Sequence, residues 1–197
     1  MDYHLMEPPM LRPFQEMKKK EAKEHFDWYI NQIPARIDLL KNAYSFTGGG
    51  NQQTLDFTPD SLKPLWKWFI KHISIIPKSQ EEIEKEKNNL SEHLKYKIVQ
   101  NPNKLSLGTV AMAMDIAIYF CEVLARNNQN VKWGILAKPK NHADFNQPVL
   151  FGFLNNVTLN PRTVVYNLAN KASKGDTNPE SLFEVYKVWL KYLPSKN

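Results

Sequence analysis

The chain has 197 residues, of which 42% are hydrophobic and 12% aromatic, and its formal net charge is +6. This composition supplies enough apolar surface for a core, so it excludes an intrinsically disordered chain. Lysine carries nearly all of the excess positive charge, because arginine occurs only at positions 12, 36, 126 and 162. Specific recognition of phosphates and bases favours clustered arginine, so we do not expect a dedicated nucleic-acid-binding protein.

The sequence predicts neither a secretory signal nor a membrane span. The chain does not begin with a basic segment followed by an apolar run. Its longest apolar stretch, residues 110–124, contains Asp115 and Glu122 and is too short to cross a bilayer. The single cysteine, Cys121, cannot form an internal disulfide and is expected to be a small buried hydrophobe, not a nucleophile. We therefore predict a cytoplasmic protein without membrane association.

The beginning of the chain is predicted to be an arm that leads into a helix. Residues 1–13 contain three prolines and are predicted to be extended, ahead of a single globular domain over residues 14–197. Apolar residues at helical spacing then predict a helix over residues 26–44. Pro34 lies inside this pattern, so the helix is expected to kink or restart there.

Two further helices are indicated by their capping residues. Thr58 is expected to cap a helix over residues 59–73, and Pro77 is expected to end it. Residues 79–82, Ser-Gln-Glu-Glu, form a capping box that predicts the start of the next helix. The apolar stripe of that helix is thin and predicts an outer position, with the members Ile83, Leu90, Leu94 and Ile98.

The most apolar segment, residues 107–126, is predicted to be a central helix because apolar residues occupy most of its circumference. Beyond it the pattern changes to alternation and predicts short strands at residues 131–135, 149–154 and 157–159. Asn-Pro pairs at residues 160 and 178 begin two final helices. The predicted fold class is α+β, predominantly α-helical with about six to seven helices and a small antiparallel sheet of two to three strands near residues 131–159.

Several short motifs resemble those of a loose set of small, uncharacterised bacterial helical proteins. The motifs are Leu-Asp-Phe-Thr-Pro-Asp-Ser-Leu at residues 55–62, the block at residues 118–124, the strand with Trp133, the Asn160-Pro161 helix and the Ser181-Leu182 helix. The resemblance implies a bacterial cytosolic helical domain with a small sheet. It implies no established activity, although some members of that set are regarded as candidate immunity factors or toxin partners.

A polar loop over residues 138–148 is the first candidate site. It is long for a hairpin connection, which usually has about two to five residues. Its candidate binding residues are Lys138, Lys140, His142, Asp144 and Asn146. His142 and Asp144 have the spacing of an activated imidazole or a partial metal site, but no further histidine or cysteine completes the set, so we predict no metal and no cofactor. A solvated loop whose polar residues serve its own turns is the alternative.

A polar stripe on the central helix is the second candidate. Asp115, Tyr119, Glu122 and Arg126 follow at spacings of four, three and four, so they share one face. Glu122 and Arg126 are spaced for an ion pair, whereas Asp115 and Glu122 lie roughly 10 Å apart along the axis, which is long for a glycosidase pair. The stripe either lines a pocket together with Trp133 or forms a paired polar seam on a buried helix.

Three other histidines, His25, His72 and His93, lie within helical patterns and have no ligand-spaced companion, so we expect them at or near the surface. No complete catalytic motif is present, and we assign no catalytic residue.

We therefore expect a non-enzymatic protein-interaction module, for example an immunity or partner protein, that binds another protein through the 138–148 loop and nearby lysines. One alternative is a small hydrolase-like enzyme with His142 and Asp144 in acid–base roles beside Glu122. The other is a weak nucleic-acid binder. The oligomeric state is left open.

Overall fold

The computed structural model describes residues 3–89 and 102–194. Within these ranges it has six α-helices, α1 (Lys19–Phe46), α2 (Leu62–Phe69), α3 (Gln80–Asn88), α4 (Leu107–Asn127), α5 (Pro161–Ala172) and α6 (Ser181–Leu190). Four short strands form two antiparallel pairs, β1 (Ile75–Pro77) with β2 (Asn103–Leu105) and β3 (Lys132–Ile135) with β4 (Pro148–Phe151). The predicted fold class, predominantly helical α+β, is confirmed.

Helix α4 is the centre of the fold. Its first turn is capped by Ser106, whose hydroxyl accepts from the backbone N–H of Thr109, and 13 of its 21 residues are buried. By length and composition it is the one described helix that could cross a membrane, with a mean hydropathy of 1.7, but 72% of its apolar window is buried inside the protein. Cys121 is fully buried, as predicted, and burial raises the pKa of its thiol well above the ordinary value.

Helix α1 is longer than predicted and runs through Pro34 without a break. The expected restart is therefore wrong. Pro34 lies on the exposed face of the helix, where water can reach the carbonyl that loses its backbone partner. The opposite face contains the apolar stripe that packs on the core, with the buried members Tyr29, Ile33, Ile37, Leu40 and Tyr44.

The predicted helix over residues 59–73 is divided into three pieces. A 3₁₀ turn at Pro59–Ser61 precedes α2, and a second 3₁₀ turn at Ile70–His72 follows it. Thr58 does not cap this helix with its side chain, because its hydroxyl donates to the carboxylate of Asp56 at 2.7 Å.

The sequence does not predict the sheet formed by β1 and β2, because Pro77 in β1 is typical of a helix stop. The Ser79–Glu82 capping box is confirmed, with bonds of 2.8 and 3.2 Å in the two directions. The predicted positions Leu90, Leu94 and Ile98, together with His93, lie outside the described residues.

The β3–β4 hairpin forms as predicted, but the third strand is reduced to a single bridge between Leu150 and Leu159. Strand β4 ends early because the chain turns at Gly152, which has φ +105°, and a Cβ there would lie 2.0 Å from the carbonyl oxygen of Asn130. Asn155 and Asn156 then turn the chain with φ of 57° and 54°, a conformation that asparagine tolerates.

Candidate functional site

The polar stripe of α4 does not form one site, because Asp115 and Tyr119 are each engaged with different elements, whereas Glu122 and Arg126 pair with each other. Asp115 is fully buried, where it accepts from the Tyr3 hydroxyl at 2.5 Å and from Arg36 Nε at 2.7 Å. Arg36 also donates to the backbone carbonyl of His4 at 2.8 Å. Burial raises the pKa of Asp115 to about 6, although the bonds from Arg36 and Tyr3 oppose that shift. We call Tyr3, Arg36 and Asp115 the arm latch, since they fasten the N-terminal arm to α1 and α4.

Tyr119 lies one turn further along α4 and is also fully buried. Its hydroxyl accepts from the backbone N–H of Phe57 at 3.0 Å and lies 2.7 Å from the Ser61 hydroxyl. Its ring stacks on Phe57, with the centroids 5.0 Å apart. Tyr119 therefore holds the segment that enters α2.

Glu122, Arg126 and Trp133 do lie together. The carboxylate of Glu122 accepts from Arg126 Nε at 3.2 Å and from Trp133 Nε1 at 3.0 Å. These side chains line a groove of about 440 Å³ between α1 and α4, which we call the α4 groove. Phe57 also lines this groove, and two cations lie over its ring. The distances to the ring centroid are 3.6 Å for Arg126 and 4.7 Å for Lys41. Glu122, Arg126 and Lys41 therefore each have a partner within this groove.

The 138–148 loop lies elsewhere. Asn146 is buried, with φ 63°, and its amide donates to the carbonyls of Phe14 at 2.9 Å and Met17 at 3.0 Å. Asp144 accepts from the amide of Asn160 at 2.7 Å, and its backbone N–H donates to His142 Nδ1 at 3.0 Å.

The other candidate side chains of the loop, Lys138, Lys140 and His142, are exposed, and no residue of the loop is among those that line the α4 groove. The structure therefore does not bring the loop and Glu122 into one cleft. Asn146 instead binds the segment that joins the arm to α1.

A second groove, of about 540 Å³, lies between the arm and helices α1, α4 and α5, and we call it the arm groove. Most of its lining is apolar, and most of its lining residues lie between Leu5 and Met17, in the arm and the turn after it. The lining residues are Leu5, Met6, Pro8, Met10, Leu11, Arg12, Pro13, Phe14, Met17, His25, Trp28, Tyr29, Val110, Met114 and Arg162. None of the candidate residues predicted from the sequence is among them.

His25 is the most unusual residue of the arm groove. It is only 5% exposed, and neither ring nitrogen has a hydrogen-bond partner among the described residues. Its ring lies 4.9 Å from that of Phe14 and 5.2 Å from that of Trp28. Burial lowers the pKa of His25, and the charge of Arg162 lowers it further, so the imidazole is neutral at pH 7. The expectation of a surface histidine was wrong here.

Two more polar groups accompany His25. Arg162 lies over the Phe14 ring at 5.0 Å and donates to the side-chain oxygen of Gln147 at 2.7 Å, but it pairs with no carboxylate of the described residues. Arg162 is half-buried, and burial lowers its pKa, whereas Tyr29 and the charge of Asp144 oppose that shift. Tyr29 is 2% exposed, and its hydroxyl has no hydrogen bond within the described part of the chain. Burial raises its pKa, and the charge of Arg162 opposes the shift.

One sequence signal could have indicated this groove. His25 lies one helical turn before Tyr29 and so extends the buried stripe of α1, which makes it a core-facing histidine. Arg162 gives no comparable signal, because its position beside His25 depends on how α5 packs. Among the described residues, no group of three or more histidine, cysteine, aspartate or glutamate side chains is placed to hold a metal ion.

Comparison with protein-family models, with curated proteins and with solved structures gives no match in any of the three.

Proposed function

We propose that this protein is a non-catalytic binding protein whose arm groove takes a small, largely apolar ligand. The observation that carries the proposal is His25, a buried imidazole with two unpartnered nitrogens beside an open volume of about 540 Å³. Buried polar groups in proteins nearly always have a partner, and each exception calls for an explanation. A bound ligand would supply the missing hydrogen bond.

A second unpartnered nitrogen provides a useful contrast. Trp66 Nε1 is also buried without a partner, but Trp66 is fully enclosed in the hydrophobic core and packs against Phe69 at 5.1 Å. Trp66 is not among the residues that line the arm groove. His25 differs because it lines a space that a ligand can enter, so the missing partner there points to binding.

The size and lining of the arm groove suit a small molecule. Ligand pockets are typically about 300–1,000 Å³ and mostly apolar, with a few polar groups that orient the ligand. Four methionines, Met6, Met10, Met17 and Met114, line the arm groove and can adapt to the shape of an apolar chain. The aromatic rings of Phe14 and Trp28 add flat apolar surface beside His25.

The same lining favours binding over catalysis. Of the described residues that line the arm groove, none is a carboxylate, a cysteine or a serine. Acid–base or nucleophilic catalysis usually pairs a histidine with such a group. The interaction with another protein, predicted from the sequence, is a separate hypothesis that this groove does not address.

The neutral fluorophore N-phenyl-1-naphthylamine tests the proposal, because it becomes bright in apolar sites and carries no charge. We expect saturable fluorescence with the wild-type protein. Met114→Trp and Met10→Trp fill the groove from opposite walls and should each abolish the signal while far-ultraviolet circular dichroism stays unchanged. Val188→Trp, at an exposed position of α6 outside the groove, is the matched control. Equal fluorescence in all four proteins would overturn the proposal.

A further inference from the structure

We infer that the ligand of the arm groove is an amphipathic carboxylate, with an apolar tail along the arm and its carboxylate bound between Arg162 and His25. This inference rests on the proposed binding function and adds the chemistry of the head group. It is carried by charge complementarity within the groove.

Arg162 supplies the attraction for an anion. Arginine is charged at any physiological pH, and Arg162 is half-buried, with Asp144 close enough to raise its pKa but forming no ion pair with it. Arg162 has one neutral amide partner, Gln147, at 2.7 Å, and its face lies against the Phe14 ring. Its remaining N–H donors are available to a planar oxyanion, which arginine binds in bidentate fashion.

His25 and Tyr29 complete the head-group site. Both lie on α1 one turn apart, so both side chains reach the same face of the helix. A neutral imidazole has one N–H donor, and a phenol has one O–H donor. Neither donor is used within the described part of the chain. These two donor groups, together with the cationic side chain of Arg162, match the acceptors of a carboxylate.

The rest of the groove defines the tail. The arm and the turn after it, from Leu5 to Met17, contribute leucine, methionine and proline side chains, and Val110 and Met114 of α4 add aliphatic surface. Arg12 is the other charged lining residue among those described, and it is paired with Glu21 at 2.7 Å. A second charge on the ligand would therefore lack an obvious partner, so the structure favours one anionic group on an aliphatic tail.

A matched series of ten-carbon probes tests the head group. Decanoate, decanol and decylamine share a tail and differ in charge, and each can be titrated against bound N-phenyl-1-naphthylamine. We expect decanoate to displace the fluorophore with an affinity about tenfold or more above that of decanol, and decylamine to bind most weakly. Sodium phosphate and acetate report on an anion site without a tail, and each should fail to displace the fluorophore.

Arg162→Gln removes the charge and should abolish the preference for decanoate over decanol. Because this variant can still bind the neutral fluorophore, the same assay shows whether it has folded. Arg126→Gln, in the α4 groove, is the matched control and should retain the preference. If decanoate and decanol bind equally to the wild type, the head-group inference is wrong but the apolar site stands. If the fluorophore itself does not bind, the proposed function fails as well.

Discussion

The arm groove and the α4 groove both lie against α1, but they differ in how their polar side chains are satisfied. In the α4 groove, Glu122 accepts from both Arg126 and Trp133. In the arm groove, His25 has no partner among the described residues and Arg162 has a single neutral one. A polar cluster that satisfies itself stabilises the fold, whereas unsatisfied buried groups beside open space call for an explanation, which the proposed ligand supplies. The comparison therefore supports the proposal that the arm groove, which the sequence did not indicate, is the binding site.

The arm latch connects this comparison to stability. The arm forms one wall of the arm groove, and Tyr3 and Arg36 fasten it through the buried carboxylate of Asp115. The polar groups of the arm latch are hydrogen-bonded to one another, like Glu122 in the α4 groove. The latch nevertheless holds in place the wall of the arm groove, where His25 has no partner among the described residues. Breaking it should therefore affect both the fold and the binding of ligand.

The largest expected effect is that of Arg36→Ala. It leaves Asp115 buried without its cation, and we expect a loss of about 3–5 kcal/mol in the free energy of unfolding. The pKa of Asp115 is already raised to about 6 and should rise further in this variant. When the pKa of a carboxyl is higher in the native than in the unfolded protein, the free energy of unfolding is highest at low pH. It falls as the pH rises from the unfolded pKa through the native pKa. The loss should therefore be larger at pH 8 than at pH 5, as measured by urea denaturation.

Lys23→Ala is the control for this prediction, since Lys23 pairs with Asp27 at 2.6 Å on the exposed surface of α1. Exposed pairs contribute about 1 kcal/mol or less, so this variant should be nearly neutral at both pH values. Equal effects of the two variants would show that the arm latch is not a buried ion pair. Binding of N-phenyl-1-naphthylamine should weaken in Arg36→Ala alone.

Sequence patterns predicted the parts of this fold that are decided locally. The capping box at Ser79–Glu82 and the apolar circumference of α4 both depend on residues within a few turns. The pairing of β1 with β2 joins segments more than twenty residues apart, and the three-residue strands are too short to show an alternating pattern.

The candidate site was harder to predict for the same reason. The polar stripe of α4 was correctly located on one helical face, but its members find partners on different elements, Tyr3 and Arg36 for Asp115 and Ser61 for Tyr119. The arm groove depends on the arm crossing α1 beside α5, which no local pattern encodes. A buried histidine in register with Tyr29 was the one available signal.

His25→Leu tests the unpartnered imidazole of the arm groove directly. Replacing an unpartnered buried imidazole with an apolar side chain removes a desolvation cost, so we expect the ligand-free protein to gain about 1–2 kcal/mol in the free energy of unfolding. The same variant should bind decanoate more weakly, because it lacks one donor at the head group. Urea denaturation and the fluorescence displacement assay measure the two effects separately.

His72→Leu is the matched control, because His72 lies at a half-buried position and its Nδ1 is 2.9 Å from the carbonyl oxygen of Trp68. This variant loses a hydrogen bond and should gain no stability. A loss of stability in His25→Leu similar to that in His72→Leu would mean that the imidazole of His25 is satisfied in the free protein. The proposed role of His25 would then be wrong.

The smallest effect is expected from Glu122→Gln in the α4 groove. The amide oxygen of glutamine can still accept from Trp133 Nε1, so only the ion pair with Arg126 is lost. The Arg126 side chain is 52% exposed, and water screens that pair, so the free energy of unfolding should fall by less than about 1 kcal/mol. The affinity for decanoate should stay unchanged, because Glu122 does not line the arm groove. A decanoate affinity that changed by tenfold or more would show that the two grooves are coupled through α1, and the division between a structural groove and a binding groove would fail.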